Sequence, residues 1–110
     1  MSDLEFHQKE SFRITEEHGF HSLSRTVGDK LVLMHSEVSE ALEAFRAGNS
    51  VSKVWYESDG KPEGVGPELA DVVIRILDFC EEYGLNLDQL IAEKNAYNEK
   101  RPFRHGGKTL

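Results

Sequence analysis

The apolar residues between positions 31 and 45 recur every three or four residues. They are Leu31, Met34, Val38, Leu42 and Phe45. This spacing places them on one face of an α-helix and differs from the alternation of a half-buried strand. We therefore predict a helix that begins between about Thr26 and Asp29 and runs to about Ala47, because glycine, here Gly48, is favoured just past a helix end.

Three further segments are predicted to be helical. The first is capped by Ser2 or Asp3 and runs to about Glu17, the third runs from Pro67 to about Tyr83 and the fourth from about Leu87 to Lys100. Gly84 and Pro102 follow the last two, as expected for residues that end helices. The residues of the third helix expected to face inward are Leu69, Val72, Val73, Ile76, Phe79 and Cys80.

Four helices with short links predict an all-α fold, an antiparallel four-helix bundle. Residues 50–66 contain several glycines and a proline, so we expect them to form a loop. We expect a single domain over residues 1–110, with 103–110 as a basic, glycine-rich tail. Because the first helix has few apolar residues, we expect a homo-oligomer to complete the core.

Composition narrows the partners and the compartment. The 110 residues carry a formal charge of −7, which disfavours general binding to nucleic acid polymers or to anionic membranes. No apolar run approaches the roughly 18 residues of a membrane span, and the first residues lack a signal pattern. We therefore expect a cytoplasmic protein. The single cysteine, Cys80, excludes an internal disulfide and is predicted to be a buried thiol.

Two pairs of carboxylates have helical i, i+3 spacing, Glu37 with Glu40 and Glu68 with Asp71. Residues three apart share one helix face, roughly 5–6 Å apart at Cβ. If the two helices face each other, four carboxylates converge, and such a cluster requires a cation. Oxygen ligands favour Mg²⁺ or Mn²⁺.

An ordinary charged flank is the alternative interpretation of each pair. Acids in a first helical turn are favoured by the helix dipole, which would by itself explain Glu68 and Asp71. Their face of the helix continues with residues that look like solvated polar surface, namely Arg75, Asp78 and Glu82.

The end of the fourth helix carries a basic and amide face. Lys94, Asn98 and Arg101 have i, i+4, i+7 spacing, and a basic segment with two glycines continues to Lys108. Glycines let a backbone approach a ligand closely, and arginine and lysine suit phosphate. Since Mg²⁺ typically binds through carboxylates and substrate phosphates, the two features together predict a phosphate site.

The histidines are weaker signals. His18 and His21 are three residues apart, as a metal pair could be, but they straddle Gly19 at a predicted helix end. His35 lies near the apolar stripe and is predicted to be a partly buried side chain.

The pattern Glu37-x-x-Glu40 followed by Glu68-x-x-Asp71 resembles that of the MazG-like all-α nucleoside triphosphate pyrophosphohydrolases. Three segments are similar to successive blocks of that family, and they are LVLMHSEVSEALEAFR, GVGPELADVVIRILDFC and EKNAYNEKRPFRHGGK. The resemblance covers about residues 27–108. It implies an all-α fold, a homodimer or dimer of dimers, Mg²⁺ dependence, and cleavage of an NTP or dNTP to the monophosphate and pyrophosphate.

The resemblance also implies roles for individual residues. The metal ligands would be Glu37, Glu40, Glu68 and Asp71. The phosphate-binding residues would be Lys94, Asn98, Arg101 and Lys108. Many relatives carry a further acid where this chain has Ser36, so no general base is assigned there, and Glu40 is our candidate to take a proton from water. The nucleobase pocket is expected from the first helix, the connector in the 20s and the start of the second helix.

Two other classes of protein are alternatives to this one. A di-iron carboxylate bundle expects Glu-x-x-His motifs, and none occurs in the sequence. A non-catalytic helical interaction module would leave Glu68 and Asp71 solvated and indifferent to metal, so a metal titration separates it from the enzyme.

Overall fold

The computed structural model describes residues 1–103, which are predominantly helical. The α-helices of this part of the chain are α1 (Asp3–Glu17), α2 (Val27–Arg46), α3 (Val65–Glu82) and α4 (Leu87–Glu99). The all-α prediction is confirmed, and the predicted bounds of α1, α2 and α4 agree with the structure to within a residue or so. Residues 104–110, including Lys108, lie outside the described residues.

The segment predicted as a loop contains two short strands, β1 (Trp55–Tyr56) and β2 (Pro62–Glu63). They pair antiparallel, with Trp55 opposite Glu63. Two residues per strand are too few for a detectable alternation of apolar and polar side chains, which is why the sequence did not predict them. A 3-10 turn, η1 (Phe20–Ser22), joins α1 to α2.

Side-chain caps explain where three helices begin. The Ser2 hydroxyl accepts the Glu5 N–H, and the Asn86 side chain accepts the Gln89 N–H. Thr26 and Asp29 form a reciprocal capping box at the start of α2. These caps place the starts of α1, α2 and α4 where the sequence predicts them.

The start of α3 is set by Gly64 rather than by a side-chain cap. Gly64 has φ 134°, and a Cβ there would collide with the carbonyl oxygen of Lys53. The helix begins at Val65, two residues before the predicted start at Pro67. The close approach of Gly64 to the loop holds the first turn of α3, and therefore Glu68, against the hairpin.

Helix α3 is central, with both α1 and α2 packed against it, whereas α4 packs against α1. Buried Gln8 on α1 links these elements: its amide donates to Glu81 Oε1 and to the Leu85 carbonyl, and its oxygen accepts the Leu87 N–H. The residues of α4 from Gln89 onward are all exposed. In one copy, α4 therefore lies beside the three-helix core rather than inside it.

The buried apolar core of this part of the chain is small. It consists of Ala41, Val65, Leu77 and Cys80. The predicted burial of Cys80 is confirmed. The prediction that Leu69 and Val73 face inward is wrong for a single copy, since they are 48% and 47% exposed. Periodicity identifies an apolar face, but it does not show what covers that face.

The apolar stripe of α2 faces outward. We call it the α2 stripe; its members are Leu31, Val38, Leu42 and Phe45, all between 45% and 55% exposed. Helix α2 packs on α3 through the neighbouring flank, where Ala41 is buried and Leu33 and Ala44 are half-buried. Among residues 1–103, these four side chains are thus only about half covered, whereas Met34, the fifth residue of the predicted stripe, is half-buried.

The dimensions of the chain agree with this open surface. Its accessible surface is 8230 Å², against about 6,200 Å² for a compact chain of the same mass. The radius of gyration is 16.6 Å, against about 13 Å for a compact domain of this length. None of the helices in residues 1–103 combines the length and apolar character that a membrane crossing requires.

Candidate functional site

Three of the four predicted metal-ligating carboxylates lie together. Glu37 and Glu40 project from α2 and Glu68 from the first turn of α3. One oxygen atom from each of the three lies within 4.8 Å of the others. The i, i+3 pair of α2 therefore meets α3 as the sequence predicted, because the two helices pack side by side.

Asp71 lies outside this group of three, but it is close enough for Glu37 and Glu40 to repel its carboxylate. Loss of hydration, together with the charges of Glu37 and Glu40, raises the pKa of Asp71. Asp71 and Glu37 both line a cavity that begins beside the carboxylate cluster. The fourth predicted ligand is thus placed at the edge of the site.

The ionised form of Glu68 is disfavoured by its surroundings. Burial, reinforced by a hydrogen bond and repulsion with Glu40, raises the pKa of Glu68 to about 6. Its Oε2 atom is buried and has no hydrogen-bond partner among the described residues. A buried carboxylate oxygen without a partner is costly unless a cation or a proton satisfies it.

The donor set fits a hard divalent cation. Carboxylate oxygens are the ligands that Mg²⁺ and Mn²⁺ prefer. The cluster combines three convergent carboxylates with one unsatisfied oxygen on Glu68. Glu40 is exposed while Glu37 and Glu68 are half-buried, so the cluster has one side open to solvent.

Arg75 is a site residue that the sequence analysis placed on solvated surface. Its Nε atom donates to Glu37 Oε1 at 2.6 Å, and the Glu37 side chain is only 12% exposed. Asp78 and Glu82 likewise reach across to neighbouring elements, to His21 and Lys30. Spacing along α3 shows that these residues share a face, but it does not show that this face meets α2 and the connector.

Lys61 of the hairpin turn is a second residue that no motif indicated. Its Nζ lies 3.0 Å from Glu63, and this contact, with further attraction from Glu68 and Asp71, raises the pKa of Lys61. Strand β2 contacts α3, which holds the turn next to the first turn of that helix. The structure therefore places Lys61, in addition to Arg75, near the carboxylates.

The cavity between α1, η1, α2 and α3 has a volume of about 340 Å³. Its apolar surface comes from Phe20, Leu33, Met34, Ile74 and Phe79. Its polar lining includes two pairs that cross between elements, His21 with Asp78 and Lys30 with Glu82. The cavity therefore joins an apolar, aromatic chamber to the carboxylate cluster.

His21 is held between two carboxylates. Its Nε2 lies 2.7 Å from Asp78 Oδ1, its Nδ1 contacts Glu16, and its ring stacks on Phe12 with centroids 4.5 Å apart. Burial alone would lower the pKa of His21, but the hydrogen bonds to Glu16 and Asp78 outweigh it and raise that pKa. His21 therefore pairs with Asp78 of α3 and does not form a metal-binding pair with His18. The ring of His18 bonds to the Ile14 carbonyl instead.

The predicted phosphate-binding face of α4 does not reach the carboxylates in one copy. Lys94 Nζ and the Arg101 guanidinium each lie 5.8 Å from the ring centroid of Tyr97. Neither residue lines the cavity, and neither does Asn98. Lys108, the last residue of this set, is outside the described part of the chain.

Comparison with protein-family models, with curated proteins and with solved structures gives no match to this chain. The function must therefore be inferred from the chain's own residues and their geometry.

Proposed function

We propose that the protein is a divalent-metal-dependent nucleoside triphosphate pyrophosphohydrolase of the MazG-like type. It would convert an NTP or dNTP and water to the monophosphate and pyrophosphate. One observation carries the proposal: Glu37, Glu40 and Glu68 converge, and Glu37 also lines a cavity together with Asp71. A metal-dependent phosphate site would then adjoin a chamber of a size suited to a small ligand.

The carboxylates and Arg75 have separable roles in this proposal. Glu37, Glu40, Glu68 and Asp71 would hold Mg²⁺ or Mn²⁺, which when bound neutralises phosphate oxygens and lowers the pKa of water. Arg75 orients the Glu37 carboxylate through the 2.6 Å contact. Glu40, the exposed member, is the candidate to accept the proton of the water that attacks the α-phosphorus.

The cavity would hold the nucleobase and sugar. Its lining comes from α1, the connector in the 20s and α2, which are the segments expected to supply the base pocket, and also from α3, which was not among them. Phe20 and Phe79 offer aromatic faces on which a base can stack. The triphosphate would extend toward the carboxylates, with Lys61 beside them.

A second copy of the chain would complete both the core and the site. The excess of about 2,000 Å² of accessible surface exceeds the roughly 800 Å² per partner of a standard interface. The α2 stripe borders an open apolar groove between α2 and α3, which includes Val72 and Ile76. We propose a homodimer or dimer of dimers in which this face is covered and α4 of one copy approaches the cluster of the other. Lys94, Asn98, Arg101 and Lys108 would then reach the phosphates across the interface.

A non-catalytic interaction module is the alternative, and the exposed α2 stripe is the observation that favours it. Such a module would bind its partner without metal and would leave triphosphates intact.

Product analysis tests the proposal. The purified protein with Mg²⁺ is offered a panel of NTPs and dNTPs in ¹⁸O-labelled water. We expect pyrophosphate and a labelled monophosphate.

Glu40→Gln should lower kcat by about 100-fold, as loss of a main electrostatic group does. Glu43→Gln is the matched control, because Glu43 lies on the same helix, is exposed and pairs with Arg46. A nucleoside diphosphate with inorganic phosphate would contradict the mechanism.

A further inference from the structure

The wall of the cavity farthest from the cluster along α3 consists of two ion pairs. His21 bonds to Asp78 at 2.7 Å, and Lys30 Nζ bonds to Glu82 at 2.7 Å and to the Tyr83 hydroxyl at 3.0 Å. The side chains of His21 and Asp78 are 12% and 19% exposed. This wall is therefore half-buried and polar, within an otherwise apolar chamber.

The donors of this wall are largely occupied, whereas its acceptors are not. Both ring nitrogens of His21 contact carboxylates, and Lys30 uses two of its three N–H bonds. Asp78 Oδ2 and Glu82 Oε1 have no hydrogen-bond partner among the described residues. Both of these oxygen atoms remain accessible to solvent. Because Asp78 and Glu82 both line the cavity, each carboxylate can offer its unpartnered oxygen to a ligand there.

The two arginines of the cavity do not change this balance at the wall. Arg75 is held at the carboxylate end by Glu37, and Arg25 is exposed at the end of the connector. Asp78 lies seven residues beyond Asp71 on α3, about 10 Å along the helix axis. That span suits a nucleotide whose phosphates lie at the cluster and whose base edge meets Asp78.

We propose that the cavity selects a nucleobase with an exocyclic amino group, of the cytosine or adenine type, and that Asp78 is the specificity-determining acceptor. The inference rests on the proposed function, since it places a nucleotide in the cavity. An amino group donates to the free oxygen of Asp78, whereas the oxo group of uracil or hypoxanthine would set two acceptors against each other. A site built around such a polar contact rejects the analogue that cannot make it.

Paired substrates test the inference. The values of kcat/KM are measured with Mg²⁺ for CTP against UTP and for ATP against ITP. In at least one pair the amino-bearing member should be preferred by about 10-fold or more, and the pair that shows it distinguishes pyrimidine from purine. Asp78→Asn keeps an oxygen for His21 and presents an amide donor instead, so it should reduce the preference by about 10-fold.

Glu16→Gln is the matched control. It removes the same charge from the other side of His21, but Glu16 does not line the cavity. The substrate preference should therefore be unchanged in this variant. An equal shift in both variants would assign the effect to His21 orientation and overturn the role of Asp78.

Binding of monophosphates, measured by calorimetry with the wild-type protein, needs neither catalysis nor a variant. CMP or AMP should bind more tightly than UMP or IMP. Equal kcat/KM values within each pair, or equal binding, overturn the inference while leaving pyrophosphohydrolase activity standing. Absence of any triphosphate cleavage overturns the proposed function. Selective binding of CMP or AMP would then still support the inference that the cavity selects a base with an exocyclic amino group.

Discussion

Arg75 Nε lies 2.6 Å from Glu37 Oε1, so a cation of α3 is bonded to a carboxylate of α2 directly beside the acidic cluster. Glu37 and Glu40 both repel Asp71, and Arg75 offsets part of that repulsion. The contact is therefore an internal counter-charge for a cluster of carboxylates. Its loss should matter most when no metal is bound.

Arg75→Gln should destabilise the metal-free protein by about 1 kcal/mol, a modest value because Arg75 is 39% exposed. The loss should shrink in millimolar Mn²⁺, since the cation then supplies the missing charge. Thermal melting in EDTA and in Mn²⁺ measures both values. Arg46→Gln is the control, because Arg46 pairs with Glu43 on open surface away from the cluster. Equal losses of Tm in EDTA and Mn²⁺ would refute the counter-charge role.

The unpartnered oxygen of Glu68 leads to a second prediction. Wild-type protein should gain stability from Mg²⁺ or Mn²⁺, because a ligand that binds the folded state alone stabilises it. Glu68→Gln should leave the metal-free protein as stable or make it more stable, by relieving repulsion with Glu40, and should abolish most of the metal response. Melting curves across a Mn²⁺ titration decide this, with Glu43→Gln as control. A wild-type Tm that ignores millimolar Mn²⁺ would count against the site.

The third prediction concerns pH and His21. The pKa of His21 is raised in the folded protein, so the protonated ring stabilises the fold. That contribution is fully present below the unfolded pKa of about 6.5 and is lost as pH rises through the higher folded pKa. Carboxylates that face the ring are Glu16, Asp78 and Glu82.

The difference in unfolding free energy between wild type and His21→Gln should therefore be largest near pH 6 and shrink toward pH 9. Denaturant unfolding at several pH values measures it. His18→Gln serves as control, because His18 is exposed and bonds to a backbone carbonyl. A difference that is constant with pH would show that His21 acts through packing on Phe12 rather than through its charge.

The fourth prediction concerns the α2 stripe. If a second copy covers it, Leu42→Glu should place a charge in the interface and give a monomer at micromolar concentration. Val32→Glu is the matched control, since Val32 is 61% exposed on the same helix but lies off the stripe. Light scattering measures the mass of each. A wild-type protein that is already monomeric at this concentration would refute the assembly.

How far the sequence could predict the structure depended on whether a feature is local. The capping box of Thr26 with Asp29 and the glycine after α2 are local, so the bounds of that helix were predictable. The convergence of Glu37, Glu40 and Glu68 followed from spacing and the packing of two helices. The contacts of Arg75, Asp78 and Glu82 depend on how α3 is rotated against α2 and the connector, which periodicity does not determine. The place of α4 depends on the long-range contacts of Gln8 with Leu85 and Leu87, which no local pattern indicates.

The last prediction concerns the α4 residues, which the proposed assembly places across the interface from the cluster. Glu40→Gln removes a proposed metal ligand and Arg101→Ala removes a proposed phosphate contact, so each variant alone should be nearly inactive. If the two residues serve one site from different copies, a mixed dimer has one site with both defects and one intact site. Unfolding and refolding the two variants together should restore about a quarter of wild-type activity, since half of the dimers are mixed.

Each variant unfolded and refolded by itself is the control for recovery during handling. If Arg101 acts on the cluster of its own chain, every site in a mixed dimer carries one defect, and mixing restores nothing. That result would place the α4 face in the same copy and would require α4 to move from its position beside α1. Recovery on mixing would assign Arg101 to the site of the other copy and would explain why its guanidinium lies outside the cavity in a single chain.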